Sequence, residues 1–403
     1  MLINPALIYA YIWLLASFFY TRYWSEIFLP LSDGTLAYIL GSIIAVGFSW
    51  AITKIIFANK PSLFNKNREL IKFSSSIKKK IVFITYVWCT FSFVELLYHR
   101  GLPILTVFGV GSITYDIYGI PSLHGFLNAL ILSLSMYMLY MLIETKSKKY
   151  LFLYMLTILP FILMMTRGGV TSLLLQSLFV LMLFKEIRFS LLVKLLLLSF
   201  IFIFAFAYLG ELRNTNPATD IYQVLQISSS YPDFLPKEFM WIYMYISSSI
   251  NNLQNMMGVY DNWNFEPYIL LYGMLPSFLR NALPMPYHVD LVVISFNVSS
   301  FMPKYLAAFG VFGSLIFYFI SALVPLYFYQ KFLRTRNVKH GFILVIFLHT
   351  IILSIFSDFF LIQVYIFQIL LQYFIFSKIV IGVRKYKLKD FDNFYIKDMY
   401  VYK

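Results

Sequence analysis

Three groups of residues in this chain have types and spacings that can do chemistry. The first holds proton acceptors. His288 follows Pro284-Met285-Pro286-Tyr287, so two prolines stiffen the chain before it. A neutral imidazole there is ready to accept a proton from an attacking hydroxyl at neutral pH. Glu211 and His124 are the next candidates for that role, with Asp290 and Asp116 behind them. Glu211 lies two residues from Arg213, which can instead hold it ionised in a structural pair, and His124 can instead orient the loop that precedes it. The second group is Thr166-Arg167-Gly168-Gly169. If Gly168 and Gly169 open a helix, their unpaired amides and its positive dipole end point where the Arg167 guanidinium points, which makes an anion site. The alternative is a structural pair from Arg167 to Glu211 or Asp358, with the two glycines serving only as a tight turn. The third group is the arginines Arg100, Arg213 and Arg280. Arginine offers a planar fork of donors that suits phosphate or carboxylate.

These residues have to be positioned by elements that are almost entirely apolar. The chain has 403 residues, of which 60% are hydrophobic and 12% charged, and its mean hydropathy is +0.76. Soluble domains carry about a quarter charged residues, so the composition specifies an all-α polytopic membrane protein, one integral domain over 1–403. The net charge of +14 would suggest a nucleic-acid partner in a soluble protein. Here most Lys and Arg fall in short gaps between apolar runs, as topology determinants do, so no nucleic acid is expected. The single cysteine, Cys89, lies inside an apolar run, so no intramolecular disulfide is possible and a thiol nucleophile facing lipid is not expected. The N-terminus has no basic stretch and no small-residue cleavage site, so the first span is expected to be retained.

About ten segments reach the roughly 20 residues that a bilayer core of about 30 Å requires. They lie near 5–21, 34–57, 81–98, 121–143, 150–166, 169–184, 191–210, 305–329, 341–357 and 359–381. Between 357 and 359 the chain has to turn, because one helix over both segments would be about twice the membrane thickness. The gaps 59–80, 144–149, 185–190 and 330–340 and the tail after 378 hold most of the lysines and arginines. They are placed in the cytoplasm with both termini. Residues 211–304 then form one large outer loop. The outer gaps keep only Arg22, Arg100, Arg167, Arg213, Lys237, Arg280 and Lys304, and five of these seven are arginine. That bias fits anion recognition, although arginine also snorkels well at an interface.

Two shorter outer stretches accompany the large loop. Residues 100–125 are apolar and glycine-rich enough to dip into the membrane, where protein or a wet cavity must satisfy the backbone. The 166–169 turn joins helices of about 16 residues, roughly 24 Å long, so it sits below the membrane surface, where an arginine needs a partner. Within the large loop, 239–255 reads as an interfacial amphipathic helix, with Trp241, Tyr243 and Tyr245 at the interface and Asn251, Asn252 and Asn255 towards water. Trp263 can stack on a sugar ring or belong to an aromatic belt. His349 and the glutamines Gln363, Gln368 and Gln372 lie in the last spans, where hydrogen bonds between helices are the default. There is no HExxH, paired cysteine, Walker loop or GxSxG, so no metal or cofactor is assigned.

Taken together, the roughly ten spans, the late outer loop, the Thr-Arg-Gly-Gly turn, Gly119-Ile120-Pro121-Ser122-Leu123-His124-Gly125 opening the fourth span, and Gly210-Glu211-Leu212-Arg213 resemble the bacterial O-antigen (oligosaccharide repeat unit) polymerases of the Wzy type. An arginine followed after ten residues by a glycine, seen in outer loops of some relatives, fits Arg100 to Gly111 but not Arg213 or Arg280. The resemblance implies a GT-C-like glycosyltransferase of the inner membrane that needs neither metal nor cofactor. Undecaprenyl-pyrophosphate-linked oligosaccharide would be both donor and acceptor, and a chain-length-regulating membrane protein a partner. On this reading Arg167, Gly168, Gly169, Arg213, Arg280 and Arg100 bind the pyrophosphate, and the base comes from His288, Glu211 or His124. An O-antigen ligase would share these features, and a lipid-linked oligosaccharide flippase is the non-enzymatic alternative.

Overall fold

The computed structural model describes residues 3–58, 72–114, 117–185, 226–236, 239–260, 262–280, 282–283, 291 and 298–376. The helix starts are written in the sequence. Asn4, Ser32, Ser74 and Asn337 each accept a hydrogen bond from an amide of the first turn and so begin α1 (Pro5–Tyr20), α2 (Asp33–Ile56), α3 (Ser75–His99) and α12 (Val338–Leu353). Three long helices end on a residue with positive φ: α3 on Arg100, α5 (Leu123–Thr145) on Lys146 and α11 (Met302–Thr335) on Arg336. Between these lie α4 (Ile104–Val107), α6 (Lys148–Leu163), α7 (Arg167–Phe184), α8 (Phe239–Met257), α9 (Tyr268–Met274) and α10 (Ser277–Arg280). The last described helix is α13 (Gln363–Leu371), which runs on as a π-turn over Gln372–Phe376. Among the described residues there is no strand, only two isolated bridges.

Five helices, α2, α3, α5, α7 and α11, are long and apolar enough to cross a membrane, and α1 and α12 are shorter apolar helices. The burial pattern supports a lipid surround. Each of residues 129–141 in α5 is buried, because α3, α6, α7 and α13 pack around it. The outward faces of α2, α3 and α6 instead expose Ile44, Phe48, Phe83, Tyr86 and Phe152. Apolar patches on this scale are not left open to water. The protein is a multi-pass all-α membrane protein with two packed lobes: one around α5, α7 and α12, the other around α1, α2, α8 and α11.

Side-chain contacts mark the two ends of the bundle. At one end Lys78 at the start of α3 meets Glu144 at the end of α5 (2.7 Å), and the Arg334 guanidinium near the end of α11 donates to the Phe57 carbonyl after α2 (2.7 Å). The opposite end gathers the last turn of α3, the starts of α5, α7, α11 and α13, and the close of α12. There the Phe301 amide donates to the Ser354 carbonyl (3.0 Å). The expected turn between 357 and 359 is present: α12 stops at Leu353 and α13 begins only at Gln363. The expected span 191–210 and the start of the expected outer loop, 211–225, lie outside the described residues.

Two structural features were not expected from the sequence. The first is that α11 is broken at Gly310 (φ 68°, ψ −173°), a conformation that only glycine adopts freely. The carbonyls freed by the break are taken up by the strap 262–266. Asn264 donates its amide to Phe309 (3.1 Å) and its side chain to Ala307 (2.6 Å), and the Glu266 amide reaches Ala308 (2.8 Å). Irregular backbone at such a place survives because protein satisfies it. The second is α8, which is not an interfacial helix with its asparagines in water. Trp241, Tyr243, Asn251 and Asn252 are all buried. Asn251 accepts from Tyr20 Oη (2.8 Å), Asn252 donates to the Val298 carbonyl (2.8 Å), and Tyr243 Oη accepts from the Trp24 amide (3.0 Å). Internal partners replace water, so the polar stripe packs inward.

Candidate active site

The residue around which the site is built lies in the last turn but one of α3. Glu95 is buried, and a carboxylate in that position needs partners. It accepts a hydrogen bond from the Ile120 amide (3.0 Å), and its other oxygen meets His124 Nδ1 at 3.1 Å. His99, one turn further along the same face of α3, accepts the Gly119 amide at Nε2 (2.8 Å). Tyr118 packs between the two imidazoles, 5.0 Å from His99 and 5.8 Å from His124 between ring centroids. Burial and the neighbouring Glu95 charge push the Tyr118 phenol above its ordinary value, so it stays a protonated donor.

This geometry depends on Gly119. Its φ of 107° suits glycine, and a Cβ there would fall 2.4 Å from His124 Cγ. The segment 118–125 therefore folds tightly over the end of α3 and delivers His124, in the first turn of α5, to Glu95. With Nδ1–H donated to the carboxylate, His124 Nε2 is the basic atom, in a side chain 24% exposed. A carboxylate that fixes the tautomer and orientation of an imidazole is the arrangement used for general-base catalysis.

Arg280 and Arg100 lie on elements that adjoin this segment. Ser122 Oγ and Ser277 Oγ are 3.1 Å apart, which sets α10 beside the 118–125 segment. Arg280 ends α10, its guanidinium 5.6 Å from the centroid of the Tyr272 ring. Arg100 follows His99 directly and is exposed. Arg167 is the first residue of α7 and is half-buried, with Gly168 and Gly169 in the first turn as expected. Gly169 is required by packing, because a Cβ would meet the Phe161 ring at 2.2 Å, whereas Gly168 faces open space. The starts of α7 and α13 lie together, since Ser172 Oγ and Tyr365 Oη are 2.8 Å apart, and a Cβ added at Gly125 in α5 would lie 3.6 Å from the Gln363 side-chain amide. Arg167 thus lies at the same end of the bundle as His124. Glu211, Arg213, His288, Asp116 and Asp290 fall outside the described residues.

One alternative for Arg167 is corrected. Asp358 pairs with Lys304, whose Nζ lies 2.7 Å from Oδ2, while Oδ1 accepts the amides of Phe360 and Leu361. Both side chains are buried, so Lys304 serves the fold and does not belong to a pool of anion-binding cations. Arg22 is likewise set over the Phe18 ring at 3.9 Å. Glu95 and His99 were not singled out from the sequence. The available signal was an acidic residue one turn before a histidine at the end of an apolar span, since ionisable groups there mark function. Among the described residues no group of three or more His, Cys, Asp or Glu side chains could hold a metal ion. No family model matches the chain, and neither a curated protein nor a solved structure is similar to it.

Proposed function

We propose that the protein is a glycosyltransferase of the bacterial inner membrane that joins undecaprenyl-pyrophosphate-linked oligosaccharide repeat units into O-antigen or a related surface polysaccharide. In this reading the chain makes about ten spans in a GT-C-like arrangement. Both ends and the Lys78–Glu144 end of the bundle are cytoplasmic, and the Glu95–His124 end is periplasmic. The observation that carries the proposal is the Glu95–His124 pair at 3.1 Å, next to the α10 turn that ends in Arg280. His124 Nε2 takes the proton of the acceptor sugar hydroxyl while its oxygen attacks the anomeric carbon of the donor. The bond from that carbon to the pyrophosphate oxygen breaks with its electron pair, and the leaving pyrophosphate takes up the negative charge. In this reading Arg280, Arg100, Arg167 and the first amides of α7 stabilise it. The test is chromosomal deletion followed by lipopolysaccharide banding. A product with a single repeat supports polymerisation, and loss of all repeats points to ligation or flipping instead.

A further inference from the structure

A cavity lies at the end of the bundle opposite the Glu95–His124 pair, where α3 and α6 begin. Its volume is about 450 Å³, and its walls include Lys78, Lys79, Lys149, Tyr150, Phe83 and Tyr86. Lys78 is balanced by Glu144 at 2.7 Å. Lys79 and Lys149 are exposed, come from two different helices, and have no carboxylate partner among the described residues. Lys80, Lys146 and Lys148 add positive charge nearby. Along α3, one and two turns beyond the lysines, Phe83 and Tyr86 are each 65% exposed, and on α6 Phe152 is 64% exposed. The cleft therefore places an excess of positive charge at the rim and apolar walls directly below it, along two spans of a membrane protein. That is the order of a phospholipid, anionic group outermost and chains beneath.

We propose that this cleft is a binding site for an anionic membrane phospholipid, its phosphate held between Lys79 and Lys149 and its acyl chains laid along Phe83, Tyr86 and the exposed face of α6. Charge and apolar surface occur together here, which a free phosphate would not use and a zwitterionic lipid would use only in part. The site is independent of the glycosyl-transfer reading and stands whether or not that reading does. Each lysine near a membrane surface contributes about 1 kcal/mol towards an anionic lipid. Loss of both therefore corresponds to roughly 30-fold in affinity, at about 1.4 kcal/mol per tenfold.

The test is native mass spectrometry of the full-length protein in detergent, titrated with phosphatidylglycerol, with phosphatidylcholine and with inorganic phosphate. Wild type should retain phosphatidylglycerol in preference to phosphatidylcholine and should not be cleared by millimolar phosphate. Lys79→Gln/Lys149→Gln should lose roughly 30-fold. Lys54→Gln/Lys331→Gln, at the same end but set over the Trp50 and Tyr327 rings, should not. Equal retention of the two lipids by wild type overturns the site without recourse to any variant. An equal loss in both double variants reduces it to a diffuse field, and displacement by inorganic phosphate identifies a free-anion site; either result overturns the proposal.

Discussion

Replacing Lys304 by methionine should be among the most destabilising changes in the described part of the protein. Every residue from 302 to 308 is buried, so nothing in that segment can relax into solvent. The methionine keeps the bulk of the lysine stem but leaves Asp358 Oδ2 facing a site only 7% exposed with no cation at 2.7 Å. Breaking one side of a buried pair costs about 3–5 kcal/mol, because a charge remains without compensation. Gly273 closes the site from above: a Cβ there would lie 2.8 Å from the Leu361 carbonyl and 3.1 Å from Lys304 Nζ, so water has little room to enter. Asp358→Asn retains an acceptor for the Phe360 and Leu361 amides, and the double variant Lys304→Met/Asp358→Asn removes both charges together. The double variant should be less destabilised than the sum of the singles by about 2 kcal/mol, within the range for directly contacting pairs. Denaturant unfolding of the purified protein in detergent, with all four proteins under one condition, gives the cycle. A Lys304→Met protein within about 0.5 kcal/mol of wild type, a shift ordinary for surface substitutions, would refute the assignment of a buried, mutually dependent pair.

The remaining predictions concern backbone and buried amides. Gly119→Ala should abolish polymer formation while leaving protein level largely intact, since the added Cβ displaces the His124 ring from Glu95; banding and immunoblot on the same strain check both halves. Gly168→Ala should be neutral or stabilising by up to about 1 kcal/mol in thermal unfolding, as alanine favours the helix, whereas Gly169→Ala should be destabilised because it strikes Phe161. Gln176 and Gln368 exchange two amide hydrogen bonds of 3.0 and 2.7 Å inside the bundle. Gln176→Leu alone should cost about 1–3 kcal/mol by leaving its partner unsatisfied, and adding Gln368→Leu should restore much of the loss.

Apolar length was enough to locate α1 to α3, α5 to α7, α11 and α12 in the sequence, because a membrane helix has to satisfy its own backbone and little else decides its place. The turn at 354–362 followed from length alone. What pattern could not give was pairing across the chain. Trp241, Tyr243, Asn251 and Asn252 show the polar stripe of an interfacial helix, yet Tyr20, Trp24 and Val298, distant in sequence, turn that stripe inward. Gly310 reads as an ordinary small residue in a span, and only the 262–266 strap reveals the break. The candidate site was legible in part. His124, Arg280 and the Arg167 turn were named from the sequence, whereas Glu95 sat within an apparently apolar span, its role defined by a loop fold that begins 23 residues later. Lys304 and Asp358 were visible as charges, and their pairing was not.

The central claim is that Glu95 and His124 together supply the base for glycosyl transfer. It is tested most directly by lipopolysaccharide chain length in the native host carrying Glu95→Gln or His124→Ala at the chromosomal locus, with membrane levels of each variant measured. Loss of a positioned general base typically costs 10²–10⁴ in rate, so both strains should accumulate lipopolysaccharide bearing a single repeat while wild type makes long chains. Long polymer in both variant strains, with the proteins present at wild-type level, would contradict the account.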